Sequence, residues 1–203
     1  LLKRGKVLTP RRDGKVVLYG GGIVHVLYAN ENGALVPEHS YPLPQNPRAA
    51  VAVADDGSLW AAGTGTTLYC AEPGGSFQAV QTSLPDISVD CWRAITLRDG
   101  TIVFGFSDLG PVLLDPRTRQ IRTAVIPEEV KQMFVMDLFE DSRGYICVST
   151  SDNGLLVLDR QTGVLDRPEA LSGEEVISVT EGAGGVMYIN TMKGAYLCRN
   201  HEY

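Results

Sequence analysis

Apolar residues fall along the chain in short runs, each closed by Gly, Asp, Asn, Pro or Thr, and no 3.6-residue period is sustained anywhere. Runs of this length with turn residues between them predict β-strands rather than helices. Five of the runs are preceded by a glycine turn of one kind: Arg12-Asp13-Gly14, Asp55-Asp56-Gly57, Arg98-Asp99-Gly100, Ser142-Arg143-Gly144 and Ala183-Gly184-Gly185. Their last glycines are 43, 43, 44 and 41 residues apart, which marks an internal repeat.

The order of elements recurs within each period. A strand precedes the turn, as in Ala50 to Ala54 and Val135 to Phe139. A second follows it: Val16 to Tyr19, Leu59 to Ala62, Ile102 to Phe104, Ile146 to Val148 and Met187 to Ile189. After a Gly-, Asp-, Asn- or Thr-rich turn comes a third: Ile23 to Leu27, Thr67 to Cys70, Val112 to Leu114, Leu155 to Leu158 and Ala195 to Cys198. Weaker fourth strands are expected at Phe77 to Val80 and Gln120 to Ala124, with hairpin turns at Asp115-Pro116-Arg117-Thr118 and Asp159 to Gly163.

The second and third strands are nearly continuous apolar runs, so both faces of each small sheet are expected to be covered by neighbouring sheets. Radial stacking of four-stranded blades supplies that cover, and a period of roughly 40–45 residues is the one expected of such blades. The fold class is therefore read as all-β, a β-propeller of about five four-stranded blades, with repeats near 5–47, 48–90, 91–133, 134–175 and 176–203 in one domain. The last repeat lacks a visible outer strand. Either five blades close with Leu1, Leu2 and Lys3 completing the last, or they belong to a larger propeller, for example one of seven blades; the missing strand favours the second.

The 203 residues are 44% hydrophobic and 21% charged, a composition that argues against disorder. A net charge of −6 with scattered Lys and Arg argues against nucleic acid as a partner. No run approaches the roughly 20 apolar residues of a membrane span, so membrane attachment is expected only through segments outside this sequence. Cys70, Cys91, Cys147 and Cys198 form no Cys-x-x-Cys pair and read as small buried hydrophobes, so no metal site is assigned.

Catalytic chemistry finds little support, and no catalytic residue and no cofactor are assigned. His25, His39 and His201 lie in unlike places with no orienting carboxylate pattern. The acid pairs Asp55-Asp56 and Glu140-Asp141 precede the turn glycines, where carboxylates accept turn amides, so a turn role outweighs paired-acid catalysis. Gly20-Gly21-Gly22 leads into a strand, not a helix, and reads as a tight turn rather than a phosphate cradle.

The stretch from Val135 to Thr150, continuing through Asp152-Asn153-Gly154-Leu155 to Asp159 and Thr162-Gly163, resembles a two-component regulator propeller repeat. That pattern has an Asp-x-x-Gly turn, an apolar strand usually with Trp, a Thr, a Gly-Leu and a final Asp. Only Trp60 supplies the aromatic three residues after the glycine; Val17, Val103, Cys147 and Tyr188 stand elsewhere. The resemblance implies the periplasmic, extracytoplasmic sensor portion of a bacterial transmembrane regulator, not itself an enzyme. It also implies a small-molecule or oligosaccharide ligand and is compatible with homodimerisation through the propeller or through absent domains.

In a propeller, the turns between second and third strands share one face with the approaches to the first strands. Loops on a rigid scaffold commonly carry function. That face gathers Arg48, Trp92, Arg93, Asp108, Asp152, Asn153 and Lys193 as candidate ligand contacts, with Trp92-Arg93 the sharpest because aromatic and guanidinium groups suit sugars and protein anchors. Against this, Trp92 reads equally as interblade packing, and Asp108, Asp152 and Asn153 as turn formers. A propeller enzyme, a lyase or glycan hydrolase with its site at the channel mouth, is the alternative function, and an interaction scaffold the third.

Overall fold

The computed structural model describes residues 7–10, 13–44, 49–130 and 133–199. The chain forms two compact units, Leu1–Cys91 and Trp92–Tyr203, a division that falls where the second repeat gives way to the third.

The first unit holds two four-stranded antiparallel sheets, each with its strands in chain order. One comprises β1 (Val7–Pro10), β2 (Val16–Gly20), β3 (Ile23–Ala29) and β4 (Leu35–Pro42); the other β5 (Ala50–Val53), β6 (Leu59–Ala62), β7 (Leu68–Ala71) and β8 (Gln78–Val80). Alternate side chains of β2 and β3, Val17, Tyr19, Val24 and Val26, meet Val51, Leu59, Ala61 and Ala71 in a common core. The period-2 geometry of a strand puts these residues on one face. Trp60, on the opposite face of β6, is also buried, and its Nε1 donates to Ser58 Oγ at 3.1 Å. Gly21 and Gly22, with φ of 62° and 81°, make the two-residue turn between β2 and β3, as the triple glycine led us to expect.

The second unit holds three sheets. The first contains β9 (Cys91–Thr96), β10 (Ile102–Phe106), β11 (Gly110–Leu114) and β12 (Ile121–Thr123); the second β13 (Val135–Glu140), β14 (Ile146–Thr150), β15 (Leu155–Leu158) and β16 (Leu165–Asp166); the third β17 (Val176–Glu181), β18 (Met187–Thr191) and β19 (Gly194–Cys198). Strands β10, β11, β14 and β15 are buried at every residue, as their nearly continuous apolar runs predict. The third sheet departs from that expectation. Along β18, Met187, Ile189 and Thr191 are buried while Tyr188 and Asn190 are exposed, and β19 is buried only at Cys198. One face of this sheet packs on the second sheet's Cys147 and Val157, and the other faces outward.

The repeated turn has one construction. Gly57, Gly100 and Gly144 have φ near +86° to +91°, and their amides donate to the carbonyls of Ala54, Leu97 and Asp141, three residues earlier. A side chain is disfavoured in that left-handed conformation. In each case a carboxylate accepts the amide just past the glycine: Asp13 takes Lys15 N–H, Asp56 takes Ser58 N–H, and Asp99 takes Thr101 N–H. In the fourth copy the acid has moved two positions back, and buried Asp141 takes both Arg143 and Tyr145 N–H. The turn role read for the acid pairs thus holds for Asp56 and Asp141. The fifth copy differs, since Ala183–Gly185 forms a short 3₁₀ turn. All four cysteines are buried, as their apolar runs led us to expect.

Candidate ligand-binding site

Six of the seven candidate residues lie in the second unit; Arg48 falls outside the described residues. Trp92 and Arg93 are the second and third residues of β9. The half-buried Trp92 ring meets Phe134, which immediately precedes β13, with centroids 5.5 Å apart and planes inclined at 47°. At the next residue along β9, Arg93 Nε stands 3.6 Å from Asp137 Oδ1, the two side chains being 44% and 32% exposed. Arg93 also donates through Nη1 to the Trp92 carbonyl at 3.3 Å.

This pairing follows from the repeat. Arg93 and Asp137 each stand seven residues before their turn glycine, at the same register of successive first strands, and Ser178 holds that position in β17. Ser178 Oγ accepts Asn190 Nδ2 at 3.1 Å. The three first strands thus carry a guanidinium, a carboxylate and a hydroxyl at one register of the repeat. Burial raises the Asp137 pKa above the ordinary carboxylate value, opposed by the Leu138 backbone amide and by Arg93. A titratable group whose charged form is disfavoured by its own fold is a functional-site signal. Asp137 was absent from the sequence-derived candidates, yet a signal existed: one acid inside Val-Met-Asp-Leu-Phe, in register with Arg93.

The remaining candidates are held by local structure. Asp108, at φ 61°, donates its amide to the Met133 carbonyl and accepts the Met133 amide on Oδ1 at 3.0 Å, fastening the β10–β11 turn to the approach to β13. Asn153 is buried in the β14–β15 turn, where its amide donates to Thr150 Oγ1 at 3.0 Å. Asp152 is exposed and accepts the Ser151 hydroxyl. The reading of these three as turn formers is the one the geometry supports. Gly154 of the same turn has φ 76°, and a Cβ there would overlap the Leu171 carbonyl, so the turn is locked against the approach to β17. Lys193 pairs with Glu174 at 2.8 Å, a hydrogen bond that raises the lysine pKa.

The histidines are dispersed: His25 shares a 2.8 Å hydrogen bond with Ser40 across β3 and β4, His39 is exposed on β4, and His201 lies outside the described residues. Among the described residues no group of three or more His, Cys, Asp or Glu is placed to hold a metal ion. No described helix is long and apolar enough to cross a membrane.

No protein-family model matches the chain, and no curated protein matches it. Solved structures do. Virginiamycin B lyase from Staphylococcus aureus is similar over 98% of this chain and 71% of its own, with a TM-score of 0.70 and 14% identity. The extracellular domain of the hybrid two component system BT4673 from B. thetaiotaomicron is similar over 98% of this chain, with a TM-score of 0.63 and 16% identity; this chain spans 32% of it. PorZ, a bacterial surface component of the type-IX secretion system of Porphyromonas gingivalis, gives a TM-score of 0.68 and 16% identity over 95% of this chain and 31% of its own. At these identities the likeness establishes a shared fold: all-β, built from small antiparallel sheets, and propeller-like in its neighbours. The regulator resemblance seen in the repeat at Val135 to Thr150 thus reappears among the structural neighbours.

Proposed function

We propose that the chain is the ligand-sensing part of a bacterial transmembrane signalling regulator, exposed on the extracytoplasmic side and built on a propeller of five blades or more. Its ligand is a small molecule or an oligosaccharide, taken at the starts of β9 and β13. The observation that carries this reading is that two side-chain pairs, Trp92–Phe134 and Arg93–Asp137, link the start of β9 to the start of β13. An aromatic face packs on the C–H face of a sugar ring while charged groups take its hydroxyls. The similarity to extracellular domains of two-component systems supports a signalling context.

Tryptophan fluorescence provides the test, because the chain has two tryptophans and Trp60 is buried in the first unit. Titration with a panel of oligosaccharides should change the emission, and Trp92→Ala should abolish the response while leaving the far-ultraviolet spectrum intact. A panel that gives no response, or a response that persists in Trp92→Ala, sinks the reading. The alternative, a propeller enzyme, draws on the similarity to virginiamycin B lyase. Accumulation of cleaved product from a panel member would favour it over sensing.

A further inference from the structure

We infer that the sheet of β13 to β16 carries a second ligand site, a cavity for a small molecule that bears a primary ammonium on a short hydrocarbon stem. The cavity encloses about 460 Å³, a volume suited to a small molecule, and its lining begins at Arg143 and Tyr145, past the end of β13 that lies away from Phe134. Strand register explains the rest of the lining. Val157 pairs with Asp166 across β15 and β16, and Asp159 continues that ladder by donating its amide to the Val164 carbonyl at 3.1 Å. One step beyond the Ile146–Leu158 pair, Tyr145 stands opposite Asp159. Alternate residues share a face, so Tyr145, Val157, Asp159, Val164 and Asp166 lie on the same side of the sheet, and all five line the cavity.

This wall has an apolar part and a charged part. Tyr145, Val157 and Val164 supply the first. Asp159 and Asp166 supply the second as diagonal neighbours of the ladder, about 7–8 Å apart, a gap that one ammonium can bridge. Each holds a local amide on Oδ1, Gln161 N–H at 2.8 Å and Arg167 N–H at 2.9 Å, and neither is in an ion pair among the described residues. The cation of the lining is already matched: Arg143 donates through Nε and Nη2 to Oδ2 of buried Asp141 at 3.2 and 3.1 Å, with its guanidinium 4.6 Å above the Tyr145 ring. The two aspartates therefore set the sign of the site. An anion would be repelled, and a neutral alcohol would form hydrogen bonds about half as strong as the charge-assisted ones of an ammonium. A metal ion would leave the apolar part idle, and no third His, Cys, Asp or Glu joins this pair among the described residues.

Calorimetry on the whole chain at pH 7 tests this with four probes: n-pentylamine, 1-pentanol, pentanoate and methylamine. Pentylamine should bind at one site, at least about tenfold more tightly than pentanol or pentanoate, and more tightly than methylamine, which has the charge without the stem. Asp159→Asn and Asp166→Asn keep the Oδ1 that holds the local amide and lose the charge, so each should weaken pentylamine at least about tenfold. Glu31→Gln removes one negative charge from the exposed β3–β4 turn and should change nothing, which separates a built site from general attraction to an acidic chain. No binding of pentylamine, pentanol or methylamine binding as tightly as pentylamine, full affinity in Asp166→Asn, or an equal loss in Glu31→Gln overturns the inference. The site shares no residue with the one at Trp92, so the sugar-binding reading and this one stand or fall separately.

Discussion

At the scale of single residues, two positions are held against their own preferences. Arg119 sits at φ 59°, where the matching residue of the next repeat is Gly163 at φ 75°; each donates its amide to an aspartate carbonyl four residues back, Asp115 or Asp159. A left-handed non-glycine residue carries strain, partly offset by the extra chain entropy of glycine in the unfolded state. Arg119→Gly should therefore stabilise the chain by about 0.5–1 kcal/mol in urea denaturation. Asp137 is the other. Its folded pKa is raised by burial, so the folded state binds the proton more tightly than the unfolded chain, and stability falls as pH rises from the unfolded value of about 3.9 through the folded one. The cost is complete above that window and absent below it. Asp137→Asn should thus match the parent near pH 3 and be equal or more stable at pH 7, by no more than about 1 kcal/mol given the opposing Arg93 pair, as thermal melts at the two pH values would register.

At the scale of elements, successive sheets of the second unit are fastened by a repeated carboxylate. Glu140, at the end of β13, accepts the Arg98 backbone amide of the preceding sheet at 2.8 Å; Glu181, at the end of β17, accepts the Ser142 amide and hydroxyl, both at 2.6 Å. Both glutamates stand four residues before a turn glycine, or its counterpart Gly185, so one position of the repeat does one job twice. Bonds to a charged acceptor contribute roughly 1.5–3 kcal/mol each, and Glu181→Ala should lower stability by at least about that amount while Glu181→Gln keeps part of it, measurable by denaturant titration. The repeat, its turns and most second and third strands were legible in the sequence because apolar runs and turn glycines are local signals. The outer strands were less so: Phe77 falls outside β8, Gln120 and Ala124 outside β12, and the sequence gives no bounds for β4 or for β16, the strand that follows the Asp159–Gly163 hairpin. Edge strands bury little, and their sequences carry correspondingly weak patterns. The interstrand partners of Arg93 and Glu140 are decided by how sheets stack, which no single strand encodes.

At the scale of the molecule, the expectation that every sheet is covered on both faces meets its exception in the last one. Tyr188 faces Leu197 across β18 and β19, and Cys147 faces Val157 across β14 and β15, so the two pairs hold matching positions in successive sheets. Cys147 and Val157 are buried beneath the third sheet of the unit, while Tyr188 is 44% and Leu197 65% exposed. The apolar sequence of β19 reads as buried and is not, because burial depends on a neighbour that a strand's own residues do not specify. A charge placed on each of the two surfaces separates the cases. Leu197→Lys should change stability by no more than about 0.5 kcal/mol and reduce binding of a hydrophobic dye, since its side chain already meets water. Val157→Lys should cost more than about 3 kcal/mol or prevent folding, because it leaves an unpaired ammonium between two sheets. A Leu197→Lys variant as damaged as Val157→Lys would mean that the far face of the third sheet is covered in solution.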